Sequence, residues 1–186
     1  MPVVAEHGFG EFPLEEIAER ADVTRNLLYH YFPRGRPDIV LAVVDRAGRQ
    51  LTDEWVTDQV LPLPERLAAN FARMAAHAIA PTDAWRIQRR ARAADAAELN
   101  EAMEPYIATI VAAIALNHLG TAEPPQLVRL ALRGFLAFGE TMLDEARVER
   151  AQLDQVLSVL SDTLVAAVAA AVSAGGQCQI SDSGDG

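Results

Sequence analysis

Residues 13–32 read PLEEIAERADVTRNLLYHYF, and the spacing of their apolar positions decides the fold. Leu14, Ile17, Ala18, Ala21, Val23, Leu27, Leu28, Tyr31 and Phe32 fall into two short helical periods with a break between Arg20 and Thr24. Thr24 suits the N-cap of the second helix, because its hydroxyl can accept an amide proton that the first turn leaves unpaired. Asp22 suits the turn, where a short polar side chain tolerates conformations that branched residues resist. Small residues at 18 and 21 let the helices approach, and Ile17, Val23 and Leu27 fill the angle between them. The pattern predicts a helix-turn-helix, whose second helix enters a DNA major groove.

On that second helix, Thr24 to Tyr31, the polar groups Thr24, Arg25, Asn26 and His30 occupy the side away from the apolar stripe. Arg25 is the candidate for a guanine edge or a phosphate, Thr24 and Asn26 for phosphate or base groups, and Tyr29 and His30 for the backbone. Tyr31 and Phe32, paired aromatics at a helix end, are expected in the core. Glu15, Glu16 and Glu19 of the preceding helix favour its dipole but repel phosphate, so they are expected to face away from DNA.

Three strings in this region, GF at 8–9, IAERADV at 17–23 and NLLYHYF at 26–32, resemble the DNA-binding domain of TetR-type transcriptional regulators. The resemblance implies a head of three helices, a long connecting helix, a helical effector-binding region and dimerisation through the last two helices. It also implies a phosphate contact after the reading helix, where family members commonly carry a lysine and this chain has Arg34 and Arg36 around Gly35. The chain departs from the family pattern in three places. Only seven residues precede Gly8, which gives a shortened first helix; Pro13 replaces a hydroxyl N-cap; and Asp22 replaces glycine. A head braced only by Val3 and Val4 is expected to bind DNA weakly.

The formal charge of −10 would by itself disfavour a nucleic-acid partner, but its distribution decides otherwise. Residues 1–19 carry five acids and no Arg or Lys, whereas residues 20–49 carry six Arg against three acids, so the basic segment coincides with the reading helix. Such a modest patch predicts salt-sensitive affinity.

Beyond the head, Pro37 opens a helix expected over 38–57, with Val40, Val43, Val44, Ala47, Leu51 and Trp55 along one stripe. Further helices are expected to end near Ile79, to run from Trp85 through Arg92, and to span 98–119 with Pro105 causing a kink or a delayed start. The arginines at 86, 89, 90 and 92 read as a solvated or salt-bridged face. Phe71, Met74, Trp85, Met103, Tyr106 and Phe138 are the candidates to line an effector cavity, being bulky and adaptable groups of the middle helices. Apolar stripes over 125–146 and 150–173 suit a four-helix contact between two copies, with Leu130, Gly134, Phe135, Val156, Leu157, Leu160 and Leu164 as interface candidates.

The expected architecture is therefore all-α: a helix-turn-helix domain over 1–45 with an incomplete first helix, a helical ligand-binding and dimerisation domain over 46–174, and a disordered tail over 175–186. The expected partners are palindromic double-stranded DNA, a small apolar effector and a second copy of the chain. The expected function is a ligand-responsive regulator, a repressor released by its effector; the competing reading is a TetR-like sensor or protein-binding dimer with little DNA affinity. Histidines at 7, 30, 77 and 118 are scattered, Cys178 is the single cysteine, and no phosphate loop or nucleophile elbow occurs, so neither an enzyme nor a metal or other cofactor is expected. The nearest approach to a membrane span, 163–176, is short and mostly alanine, and there is no basic start followed by an apolar signal core, so a cytoplasmic location is the expectation.

Overall fold

The computed structural model describes residues 1–55 and 60–181, with side chains through residue 175. All regular structure among the described residues is helical: α1 (Pro2–His7), α2 (Leu14–Arg20), α3 (Arg25–Tyr31), α4 (Arg36–Asp53), α5 (Leu63–Ile79), α6 (Asp83–Ala93), α7 (Ala97–Leu119), α8 (Gln126–Glu149) and α9 (Leu153–Ser181). The helices form two compact units. The first holds residues 1–54 and 81–106, and the second holds residues 55–80 and 107–186. This division is not the sequential one expected at residue 45, since α6 and the first part of α7 join the N-terminal helices.

In the first unit, α2 and α3 form the expected helix-turn-helix. Thr24 sits in extended backbone and its Oγ1 accepts the Leu27 amide at 3.2 Å, which satisfies one of the orphan donors of α3. Asp22 adopts φ 52°, the left-handed conformation that its short polar side chain tolerates at the turn. Pro13 stands at the N-cap of α2 and gives it no side-chain cap. Val3, Val4 and Ala5 of the short α1 are buried, as are Phe12, Leu14, Ala18 and Leu28. α1 and α4 both pack against α6.

The bracing of α1 by α6 was not visible in the sequence. Arg90 of α6 donates through one guanidinium nitrogen to the carbonyls of Val4 at 3.2 Å and Ala5 at 2.5 Å, near the end of α1. The Val4 carbonyl also accepts the Gly8 amide at 2.9 Å, so Arg90 adds a second bond there and a bond to Ala5 in the last turn, where a helix leaves carbonyls unpaired. The arginine face of α6 is thus partly structural, although Arg86 does make the expected surface pair, with Asp83 at 3.5 Å.

The second unit is built from α5, α8, α9 and the latter part of α7 around Phe71, Met74, Val111, Ile114, Leu132, Phe135, Leu160 and Leu164. Phe71 and Phe135 meet edge to face, with centroids 6.3 Å apart. Two expectations change here. α9 continues to Ser181, so residues 175–181 are helical rather than irregular, because each added residue of a long helix gains a hydrogen bond without a new nucleation cost; residues 182–186 lie outside the described residues. And two helical stretches, Ala97–Leu119 and Leu153–Gly175, do have the length and apolar composition of a membrane span. In α9 those apolar residues serve packing instead: Val156, Leu160, Leu164, Val168 and Ala171 enter the core of the unit.

Candidate nucleic-acid interface and effector region

α3 presents Arg25, Asn26, Tyr29 and His30 on its exposed side and buries Leu28. These positions are two adjacent pairs, 25–26 and 29–30, offset by four residues, and so share one helical face. Tyr31, expected in the core, is 69% exposed, and its ring meets that of His30 edge to face. The helix is too short for its last turn to be covered, so Tyr31 extends the exposed surface while Phe32, partly buried, closes the helix.

The cations of the interface are not free. Arg25 bonds to Glu15 of α2 at 2.5 Å and lies over the Tyr29 ring, 5.7 Å from its centroid. Arg34 pairs with Asp38 at 2.6 Å and with Glu98 of α7 at 2.8 Å, and its backbone amide also donates to Asp38. Contact with Arg34 holds the Asp38 carboxyl below its ordinary value, chiefly through that backbone hydrogen bond. Arg36 donates to the Phe12 carbonyl at 3.0 Å and sits over the Phe12 ring. Arg20 is joined to Glu16 at 2.7 Å, within a cluster in which Glu6, His7 and Glu16 bring their ligand atoms within 4.8 Å of one another. Glu98 was not singled out from the sequence, and Glu15, expected to face away from DNA, instead pairs with the first residue of the reading helix, since nothing in local periodicity reports a pairing over ten or sixty-four positions.

Gly35 adopts φ 69° as the N-cap of α4, which explains a glycine between the two arginines. A side chain there would also crowd Tyr29, whose Cε1 lies 3.3 Å from the position of an added Cβ.

The six effector-cavity candidates are not gathered in one place. Trp85 and Met103 are buried in the first unit, Tyr106 belongs to the same unit and donates its hydroxyl to Asp45, and Phe138 is 44% exposed on α8. Phe71 and Met74 do line a common space in the second unit, together with Trp55, Asn70, Ile114, Asn117, Phe135 and Leu164. That space measures about 10 Å³, the room of about one water molecule. Phe71 also borders an open recess of about 440 Å³ lined by Leu63, Pro64, Leu67, Ala68, Leu157 and Ser161. Trp55, assigned from the sequence to the connecting helix, is the tryptophan at the cavity; a helical stripe gives no sign that the chain leaves α4 before it.

Of the interface candidates on α8 and α9, Phe135, Val156, Leu160 and Leu164 are buried in the core of their own unit and Leu157 is half-buried. Leu130 is 56% exposed, and a Cβ at Gly134 would meet nothing within 4 Å. Leu127 and Phe138 continue this open stripe at helical spacing.

Residues 2–43 match the family described as bacterial regulatory proteins, tetR family. The fold is similar to that of a crystal structure of a tetR-family transcriptional regulator from Streptomyces coelicolor, with a TM-score of 0.68 and 24% sequence identity. The match covers 91% of this chain and 76% of that one. No curated protein matches the sequence.

Proposed function

We propose that this chain, which belongs to the TetR family of bacterial regulatory proteins, is a homodimeric regulator that places α3 of each subunit in successive major grooves of a palindromic site and responds to a small apolar effector. The observation that carries this reading is the exposed face of α3, with Arg25, Asn26, Tyr29 and His30 together above a capped helix start. Thr24, Arg34 and Arg36 flank that face as phosphate contacts. Residues 1–45 then carry the reading elements, within a first unit that α4, α6 and the start of α7 complete, and the second unit carries the ligand-binding and dimerisation surfaces.

The effector reading rests on Phe71, which borders both the small closed cavity and the open recess of the second unit. An apolar molecule entering from the recess would displace that ring and enlarge the closed space. Release from DNA on effector binding makes the protein a repressor, acting in the cytoplasm.

Selection of duplexes from a random pool, followed by titration across salt concentrations, tests the DNA arm. Enrichment of an inverted repeat supports the reading, and absence of any enrichment by folded dimer removes it. Quenching of Trp55 fluorescence by apolar compounds, lost in Phe71→Ala, tests the effector arm.

One observation favours the competing reading of a sensor or protein-binding dimer with little DNA affinity. Arg25, Arg34 and Arg36 each already have a partner within the chain, so each phosphate contact must replace an existing interaction. A sequence-independent affinity close to zero at low salt, with no enriched site, would select that alternative.

A further inference from the structure

Glu15 and Arg25 form their pair at the outer surface of the helix-turn-helix, with side chains 60% and 56% exposed. Glu15 lies in the first turn of α2, and Arg25 is the first residue of α3. The guanidinium is fixed from two sides, by the carboxylate at 2.5 Å and by the Tyr29 ring beneath it. Contact with Tyr29 and with Glu15 also raises the Arg25 pKa.

A carboxylate so placed acts on DNA binding in three ways. It offers Arg25 an internal substitute for phosphate, which removes the gain from counterion release at random sequences. It repels any phosphate that approaches the same point. And it limits the rotamers of Arg25, so that a base edge presented at the right place meets an arginine already oriented. The first two effects act on every sequence. The third helps only a site with acceptors in the correct position, such as O6 and N7 of guanine.

Resting on the DNA-binding reading above, we propose that Glu15 is a specificity-determining residue of the interface, which holds Arg25 against general phosphate attraction and reserves it for a base edge. Glu15 works through Arg25 and is thus a positioning residue. Its contribution is a ratio of affinities rather than an affinity.

The experiment titrates the full-length protein, Glu15→Gln, Arg25→Ala and the double variant against a duplex selected by the wild type and against a scrambled duplex, each at several salt concentrations. Glu15→Gln is expected to strengthen binding to the scrambled duplex by about two- to tenfold at low salt, the effect of releasing one exposed ion pair in each of two subunits. The salt slope for that duplex is expected to steepen by roughly one per added phosphate contact, and the ratio of selected to scrambled affinity is expected to fall. In the Arg25→Ala background the same change should have little effect on the ratio or the slope.

Equal changes on both duplexes, or an unchanged salt slope, would overturn the assignment, because a merely structural role would weaken both alike. If the wild type selects no DNA, the DNA-binding reading fails; the inference then survives only if Glu15→Gln gains salt-sensitive binding that Arg25→Ala removes, and without that gain both fall.

Discussion

The Tyr106 ring lies against Gly48, so that a Cβ added to this glycine would overlap Cδ2 and Cγ of the ring. A glycine in the interior of an 18-residue helix is otherwise unfavourable, by about 1 kcal/mol relative to alanine. Here it makes room for an aromatic ring of α7 whose hydroxyl then reaches Asp45, one turn earlier on α4. Asp45 in turn pairs with Arg49 at 2.7 Å. The hydrogen bond from Tyr106 is the main cause holding the Asp45 carboxyl below its ordinary value.

Gly48→Ala is therefore expected to destabilise the protein, since the cost of overpacking, about 1–3 kcal/mol, exceeds or offsets the gain in helix propensity. Chemical denaturation of Gly48→Ala, Tyr106→Ala and the double variant measures it. The penalty of the alanine at 48 should shrink or reverse once the ring is gone, a non-additivity that distant sites do not show. Additive effects would mean that the contact carries no energy.

Arg90 supplies the second expectation. Its two bonds to α1 carbonyls are charge-assisted, a class worth about 1.5–3 kcal/mol each, although the Val4 carbonyl keeps its bond from the Gly8 amide when Arg90 is removed. Arg90→Ala should lower stability by about 2 kcal/mol and speed hydrogen exchange at the amides of α1. Arg90→Lys should restore part of the loss. If exchange in α1 is unaltered, the helix is held by burial of Val3 and Val4 alone.

How much of this was legible in advance follows from where each signal resides. Leu14, Leu28 and Thr24 announce their roles through periodicity and capping, which operate over three or four residues. The pairs Arg90 with Val4, Arg34 with Glu98, and Tyr106 with Gly48 join positions far apart in the chain, and no local pattern encodes them. Tyr31 failed for a related reason: an aromatic at a helix end reads as core, yet its 69% exposure depends on which helices reach that end. The candidate cavity residues were chosen by size. Size does not distinguish Met103, packed in the first unit, from Met74, packed in the second.

Acidification gives a third expectation. Burial, reinforced by the nearby Arg66 guanidinium, lowers the His118 pKa, and its Nε2 is buried without a hydrogen-bond partner. The folded state thus prefers neutral imidazole, whereas the unfolded chain takes up a proton near pH 6.5. Since the unfolded state then binds more protons, the His118 contribution is fully present above about pH 6.5 and is lost as pH falls from there through the folded pKa. Denaturation midpoints measured from pH 7.5 to pH 5 should decline for the wild type and less steeply for His118→Gln. Identical slopes would show that other groups account for the decline.

The last expectation concerns assembly, and burial decides which residues can test it. Leu160 is fully buried in the core of its own chain, so Leu160→Glu should unfold the protein whether or not it dimerises, because a carboxylate would be placed among apolar groups without a partner. Leu130 is different. It stands 56% exposed on α8, in a stripe with Leu127, Gly134 and Phe138, and α9 presents Val165 at 51% exposure. Contiguous apolar surface of this kind is characteristic of an interaction face, and a two-fold contact would pair the stripe with its own copy. The wild type is expected to sediment at about twice the 20.1 kDa chain mass. Leu130→Glu should shift it toward monomer while leaving the helical circular dichroism spectrum unchanged, since the carboxylate of an isolated subunit points to water. A variant that stays dimeric would place the contact away from this stripe. A wild type that stays monomeric over a broad concentration range would remove the dimer, and with it the paired reading of a palindromic site.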